Sequence, residues 1–74
     1  MSGEVLEKIY RERLEERIIA FLSKEHDISL EKAMDIYYHS RMADMIYHGM
    51  EGIQYLDYKL LAQILFETQP ELFD

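Results

Sequence analysis

Two residue pairs share a spacing that could support chemistry: Asp35 with His39, and Asp44 with His48. On a helix, residues four apart lie on one face, so each carboxylate can reach its imidazole. A carboxylate that orients an imidazole is one half of many metal and acid–base sites. The other half would be a further ligand or a nucleophile at a matching position. His39 and His48 stand nine residues apart, and neither His-x-x-x-His nor Glu-x-x-His occurs. The pairs therefore read as surface pairs that stabilise their helices slightly, with a small metal or acid–base site on His39 and His48 as an alternative. His26, between Glu25 and Asp27, sits where a helix should end, and an imidazolium there would suit the negative end of the dipole. Absence of cysteine excludes disulfides, thiolate metal sites and cysteine nucleophiles. There is no glycine-rich phosphate loop and no Gly-x-Ser-x-Gly elbow, and Gly49 with Gly52 is too sparse a signal to count. No catalytic residue, metal or cofactor is expected, and the chain does not read as an enzyme.

Six tyrosines and five methionines in 74 residues are a more informative excess. Tyr37, Tyr38, Tyr47, Tyr55 and Tyr58 fall within 22 residues, alongside Met34, Met42, Met45 and Met50. Tyrosine gives rigid area with a polar tip, methionine gives adaptable packing, and both are enriched at protein interfaces. The plain alternative is that they fill a small core, with phenols reaching water. Ile36, Tyr37 and Tyr38 in succession, beside Met34, cover more of a helix circumference than one core contact requires. The candidate partner-interface residues are Leu6, Ile9, Tyr10, Tyr37, Tyr38, Met42 and Tyr47.

Helices must position these groups. Leu6, Ile9, Tyr10, Leu14, Ile18, Phe21 and Leu22 recur at three- and four-residue steps and predict one apolar stripe on a helix over about 3–25. Ser2 can cap it, and Glu4 suits its positive dipole end. Glu4–Lys8, Glu7–Arg11 and Arg11–Glu15 are opposite-charge pairs at i, i+4. The charges from Arg11 to Arg17 read as a solvated face, with Arg13 and Arg17 as the one basic pair held in reserve. Ser29 caps a helix over about 29–39 that carries Leu30, Ala33, Met34, Tyr37 and Tyr38. Ser40 divides it from a piece over about 41–48, because a serine hydroxyl can bond the backbone and loosen a helix. Gly49 suits the left-handed position beyond that piece. Gly49 to Gly52 reads as a loop, and Ile53 to Leu56 alternates like a short extended segment. Asp57 caps a last helix over about 57–68, with Leu60, Leu61, Ile64 and Leu65 on one face and Pro70 as its stop. Residues 70–74 form one last turn or fray. The fold class predicted is all-α: one domain, 1–74, a small bundle of three main helices with the second split near Ser40.

Eight Lys and Arg stand against fifteen Asp and Glu, a formal charge of −7. Residues 1–20 hold four bases and five acids, a net of −1; residues 21–74 hold four and ten, a net of −6. Nucleic-acid affinity rests on neutralising phosphates, so an acidic body without a Lys/Arg stripe repels nucleic acid. An anionic membrane surface is disfavoured for the same reason. A basic protein partner is favoured, since opposite charge steers encounter. A helix–turn–helix regulator built on Ser29–Gly49 is a second alternative; it needs Lys or Arg on its second helix, and only Arg41 is there. No apolar run approaches the roughly 18 residues of a membrane span, and the N-terminus lacks a signal peptide's apolar core, so a cytoplasmic chain is expected.

The run from Ile18 to Phe66 resembles a group of short bacterial all-helical domains of unknown function. The features are the Ile-Ile-x-Phe-Leu end of the first helix, then ISLEKAMDIYYHS, an Ile-Tyr-x-Gly close, and YLDYKLLAQIL. The resemblance covers about two thirds of the chain and rests on cap and core residues, so it implies a fold more than a function. Members tend to lie in small operons of gut bacteria, sometimes beside toxin-like proteins. The role this implies is an antitoxin-like or regulatory partner, and no catalytic residue is carried over. The chain therefore reads as a small acidic helical module for protein–protein interaction. A homodimer is also expected. The first helix, at about 1.5 Å per residue, would run about 33 Å, longer than the rest of the body is wide. Val5, Leu6, Ile9 and Tyr10 would then lack intramolecular cover, and the same helix of a second copy is the simplest one.

Overall fold

Helix α1 (Gly3–Glu25) forms the long axis of the molecule, and its buried residues, Leu14, Ile18, Ile19 and Leu22, all lie in its C-terminal half. The computed structural model describes residues 3–74, with only the backbone at Glu51; the predicted Ser2 cap lies outside the described residues. After α1 come α2 (Leu30–Tyr38), α3 (Arg41–His48), a 3-10 helix (Met50–Tyr55), α4 (Tyr58–Thr68) and a second 3-10 helix (Pro70–Phe73). Among the described residues there is no strand, so the all-α class holds. Those residues form four α-helices, however, not three with a split.

The reason is at Ser40, whose backbone is extended (φ −86°, ψ 156°) and breaks the helix completely. Its hydroxyl donates to the Tyr37 carbonyl at 2.6 Å and accepts from the Ala43 N–H at 3.2 Å. One buried side chain thus closes α2 and opens α3, with its own hydrogen bonds satisfied. The start of α3 gains a second partner from far along the chain, as the Arg41 N–H donates to Gln69 Oε1 at 2.7 Å. Ser29 caps α2 by accepting from the Lys32 N–H, Asp57 caps α4 by accepting from the Lys59 N–H, and Gly49 takes the left-handed position after α3 (φ 60°). The turn from α1 to α2 uses a left-handed Asp27 (φ 52°) in place of glycine. Aspartate is among the few side chains that tolerate this region. Ser23 braces the turn, donating its hydroxyl to the Ile28 carbonyl and accepting the Ile28 N–H on its own carbonyl.

The predicted extended segment at Ile53–Leu56 is 3-10 helix over most of its length. No strand among the described residues pairs with it, so its backbone bonds close locally, as in Leu56 N–H to the Ile53 carbonyl at 3.1 Å. Pro70–Phe73 is likewise a formed turn, and Leu72 and Phe73 pack against the core. That core joins Leu14, Ile18, Ile19 and Leu22 to Ala33, Ile36 and Tyr37 of α2, Met42 and Ile46 of α3, and Leu61, Ala62 and Leu65 of α4. Leu60, Leu30 and Met34, placed by sequence on the apolar faces of their helices, are exposed.

Candidate interaction surface

Both His–Asp pairs form. His39 Nδ1 lies 3.2 Å from Asp35 Oδ1 and 2.7 Å from the Asp35 carbonyl, and His48 Nε2 lies 3.6 Å from Asp44 Oδ1. All four side chains are more than half exposed, so each pair is worth little in water. Among the described residues no three His, Asp or Glu side chains converge as a metal would require. His26 serves as an aromatic spacer, its ring 4.6 Å from those of both Phe66 and Phe73. The predicted pairs Glu4–Lys8, Glu7–Arg11 and Arg11–Glu15 do not close as ion pairs among the described residues. Arg11 instead lies over the Tyr47 ring, 4.9 Å from its centre, and Glu15 Oε2 accepts from the Tyr37 hydroxyl at 2.8 Å.

The seven candidate interface residues separate into three places. Tyr37 and Met42 belong to the core, with 0% and 3% of their surface exposed, which corrects their assignment to a partner surface. Tyr37 reaches Glu15 with its hydroxyl, so a tyrosine can be buried there without an unsatisfied polar tip. Burial, and then the Glu15 carboxylate, raise its phenol well above the ordinary range. Tyr38 and Tyr47 are exposed on the walls of a groove of about 840 Å³ between α1 and the α2–α3 junction, with Glu12, Glu15, Glu16 and Asp44 and also Arg11 and Arg41 around them. Burial, then Glu15, Glu12 and Glu16, also hold the Tyr38 phenol above its usual value.

Leu6, Ile9 and Tyr10 form the third place. With Val5 they are 43–56% exposed on the N-terminal third of α1. At about 100° per residue, Leu14, Ile18, Ile19 and Leu22 share one arc of roughly 140°, and Val5, Leu6, Ile9 and Tyr10 share another of the same width. The two arcs are centred about 180° apart. The single stripe predicted from sequence is therefore two faces. Each four-residue step advances about 40° around the helix, so Leu6, Tyr10, Leu14, Ile18 and Leu22 wind from one side to the other. In the N-terminal third the arc that would face the core carries Glu4, Glu7, Lys8 and Arg11.

Tyr55 and Leu56, 67% and 46% exposed, extend the outward arc. The rings of Tyr10 and Tyr55 meet at 5.6 Å. A cleft of about 520 Å³ lies on one side, lined by Leu6, Tyr10, Tyr47 and Tyr55, with Gln54 Oε1 buried and unpartnered among the described residues. A second, of about 490 Å³, is lined by Tyr10, Arg13, Arg17, Leu56 and Tyr58. Tyr55 and Leu56 were not among the sequence candidates for this surface, whereas Val5, read from sequence as uncovered, joins the arc by its angular position on α1. No helix among the described residues is long and apolar enough to cross a membrane. In comparison with known proteins, no family model, no curated protein and no solved structure matches the chain.

Proposed function

We propose that this chain is a protein–protein interaction module that docks through the outward apolar arc of α1 together with Tyr55 and Leu56. The observation that carries it is the inversion of α1. Val5, Leu6, Ile9 and Tyr10 lie on the opposite side of α1 from Leu14, Ile18, Ile19 and Leu22 and stay 43–56% exposed, with Tyr10 meeting Tyr55 at its edge. Exposed apolar patches of this kind mark interaction sites. The separate groove beside Tyr38 and Tyr47 holds Glu12, Glu15, Glu16 and Asp44 against Arg11 and Arg41, a balance of −2 that lends modest support to a basic partner at that place. An antitoxin-like or regulatory role belongs to the same proposal, on the strength of the resemblance. The helix–turn–helix alternative has less support, because α3 carries Asp44 as well as Arg41.

Photo-crosslinking in host cells tests the docking surface. A crosslinker at position 9 should trap a macromolecule, whereas one at exposed Gln63, on α4, should trap little. Equal yields from the two positions would remove the arc from the proposal.

A further inference from the structure

The arc has a size and a charge that select its occupant. A compact monomer of 8.9 kDa should expose about 4,800 Å², and this chain exposes 5344 Å². The surplus of about 500 Å² accompanies an elongated shape, 41 × 21 × 19 Å. A specific interface needs at least about 500 Å² from each copy, and Val5, Leu6, Ile9, Tyr10, Tyr55 and Leu56 are the exposed apolar side chains that would supply it. A second copy supplies the other half, equal in area and in apolar chemistry.

Charge favours that copy over a basic partner at this place. Residues 3–13 hold Glu4, Glu7 and Glu12 against Lys8, Arg11 and Arg13, a balance of zero, so the whole −7 lies elsewhere. A basic protein gains no attraction from the arc, and two copies that repel through their bodies do not repel here. From Val5 to Leu14 the helix rises about 13 Å, more than the roughly 8 Å over which physiological salt screens charge. The projecting helix can therefore join two acidic bodies while holding them apart.

We infer that the arc is covered by the same arc of a second copy, packed antiparallel about a two-fold axis. The inference rests on reading the arc as a docking surface and names its occupant. The midpoint of Val5, Leu6, Ile9 and Tyr10 falls between Glu7 and Lys8, so Leu6 of one copy meets Ile9 of the other. Tyr10 and Tyr55 flank that contact from both sides.

Sedimentation equilibrium across a wide concentration range tests this. Mass should rise from 8.9 kDa to twice that value, and added salt should leave dimerisation intact or strengthen it. Ile9→Glu should weaken the dimer at least about a hundredfold while circular dichroism stays helical. Mixing the Ile9→Glu and Leu6→Lys chains should restore a heterodimer, because the two-fold places position 9 against position 6. A wild-type mass of 8.9 kDa at every concentration would overturn the dimer and leave the docking surface to stand or fall on crosslinks from position 9. A dimer indifferent to Ile9→Glu, or a mixture that stays monomeric, would overturn the arc-to-arc arrangement.

Discussion

Leu22 and Leu6 are the same residue type on the same helix, one with 0% of its surface exposed and the other with 56%. Around Leu22, α1 meets α4 and α2, and its apolar arc closes against Ile36, Tyr37, Leu61 and Leu65. Around Leu6 the arc has rotated to the far side and faces outward beside Tyr55. The difference shows that spacing of three and four specifies a helix without specifying a face. A run of pure four-residue steps precesses, and a long enough helix offers its apolar residues to two different neighbours. One end of α1 builds the fold, and the other remains available for contact.

Paired alanine substitutions test that division most directly. Leu22→Ala should cost roughly 2–5 kcal/mol in urea unfolding, a large share of the stability of so small a domain. Leu6→Ala, measured where the chain is monomeric, should change stability by no more than about 0.5 kcal/mol. Comparable losses would mean that the N-terminal third is part of the core after all.

Tyr37→Phe probes the place where the buried half of α1 begins, by removing the hydroxyl that bonds Glu15. A loss of about 1.5 kcal/mol is expected for a hydrogen bond to a charged group. Burial, then Glu15, hold this phenol above its ordinary 10.0. As pH rises past that value the unfolded chain gives up the proton and the folded chain keeps it. The stability it contributes is therefore present below pH 10 and is lost above it. Wild type should lose stability above pH 10 more steeply than Tyr37→Phe, and parallel curves would contradict the buried phenol.

Asp57→Ala should weaken the cap of α4, against which the buried half of α1 packs, by about 0.5–2 kcal/mol, while Asp57→Ser should cost little. Equal losses would show that the carboxylate does something other than cap. The smallest effect is expected at the end of α1. Asp27→Gly relieves a left-handed aspartate and should stabilise by up to about 1 kcal/mol in thermal unfolding. Neither Tyr37→Phe nor Asp27→Gly should alter self-association, since neither residue lies on the arc.

The bounds of α1, the caps at Ser29 and Asp57 and the left-handed Gly49 are legible in the residues themselves; at Ser40 the break is legible, but that its hydroxyl caps α3 is not. The uncovered stretch from Val5 to Tyr10 is legible as well, from helix length against body size. Hidden in the sequence are the rotation of that stretch away from the core, the 3-10 turn at Met50–Tyr55, and the contact of Tyr55 with Tyr10. A patch assembled from residues 45 apart in the chain leaves no spacing to read.

Local features follow from the chain alone: a cap bonds a backbone group two or three residues away, and a helix closes its hydrogen bonds within about one turn. Charge is local in the same sense, because it is counted rather than folded. Packing alone chooses which of two adjacent tyrosines is buried. Tyr37 and Tyr38 have the same chemistry and nearly the same neighbours in sequence. Tyr37 is buried because α1 brings Glu15, 22 residues distant, to its hydroxyl, and Tyr38 is left on the groove wall. Burial is set by what other elements place opposite a side chain, and that is a property of the packed whole.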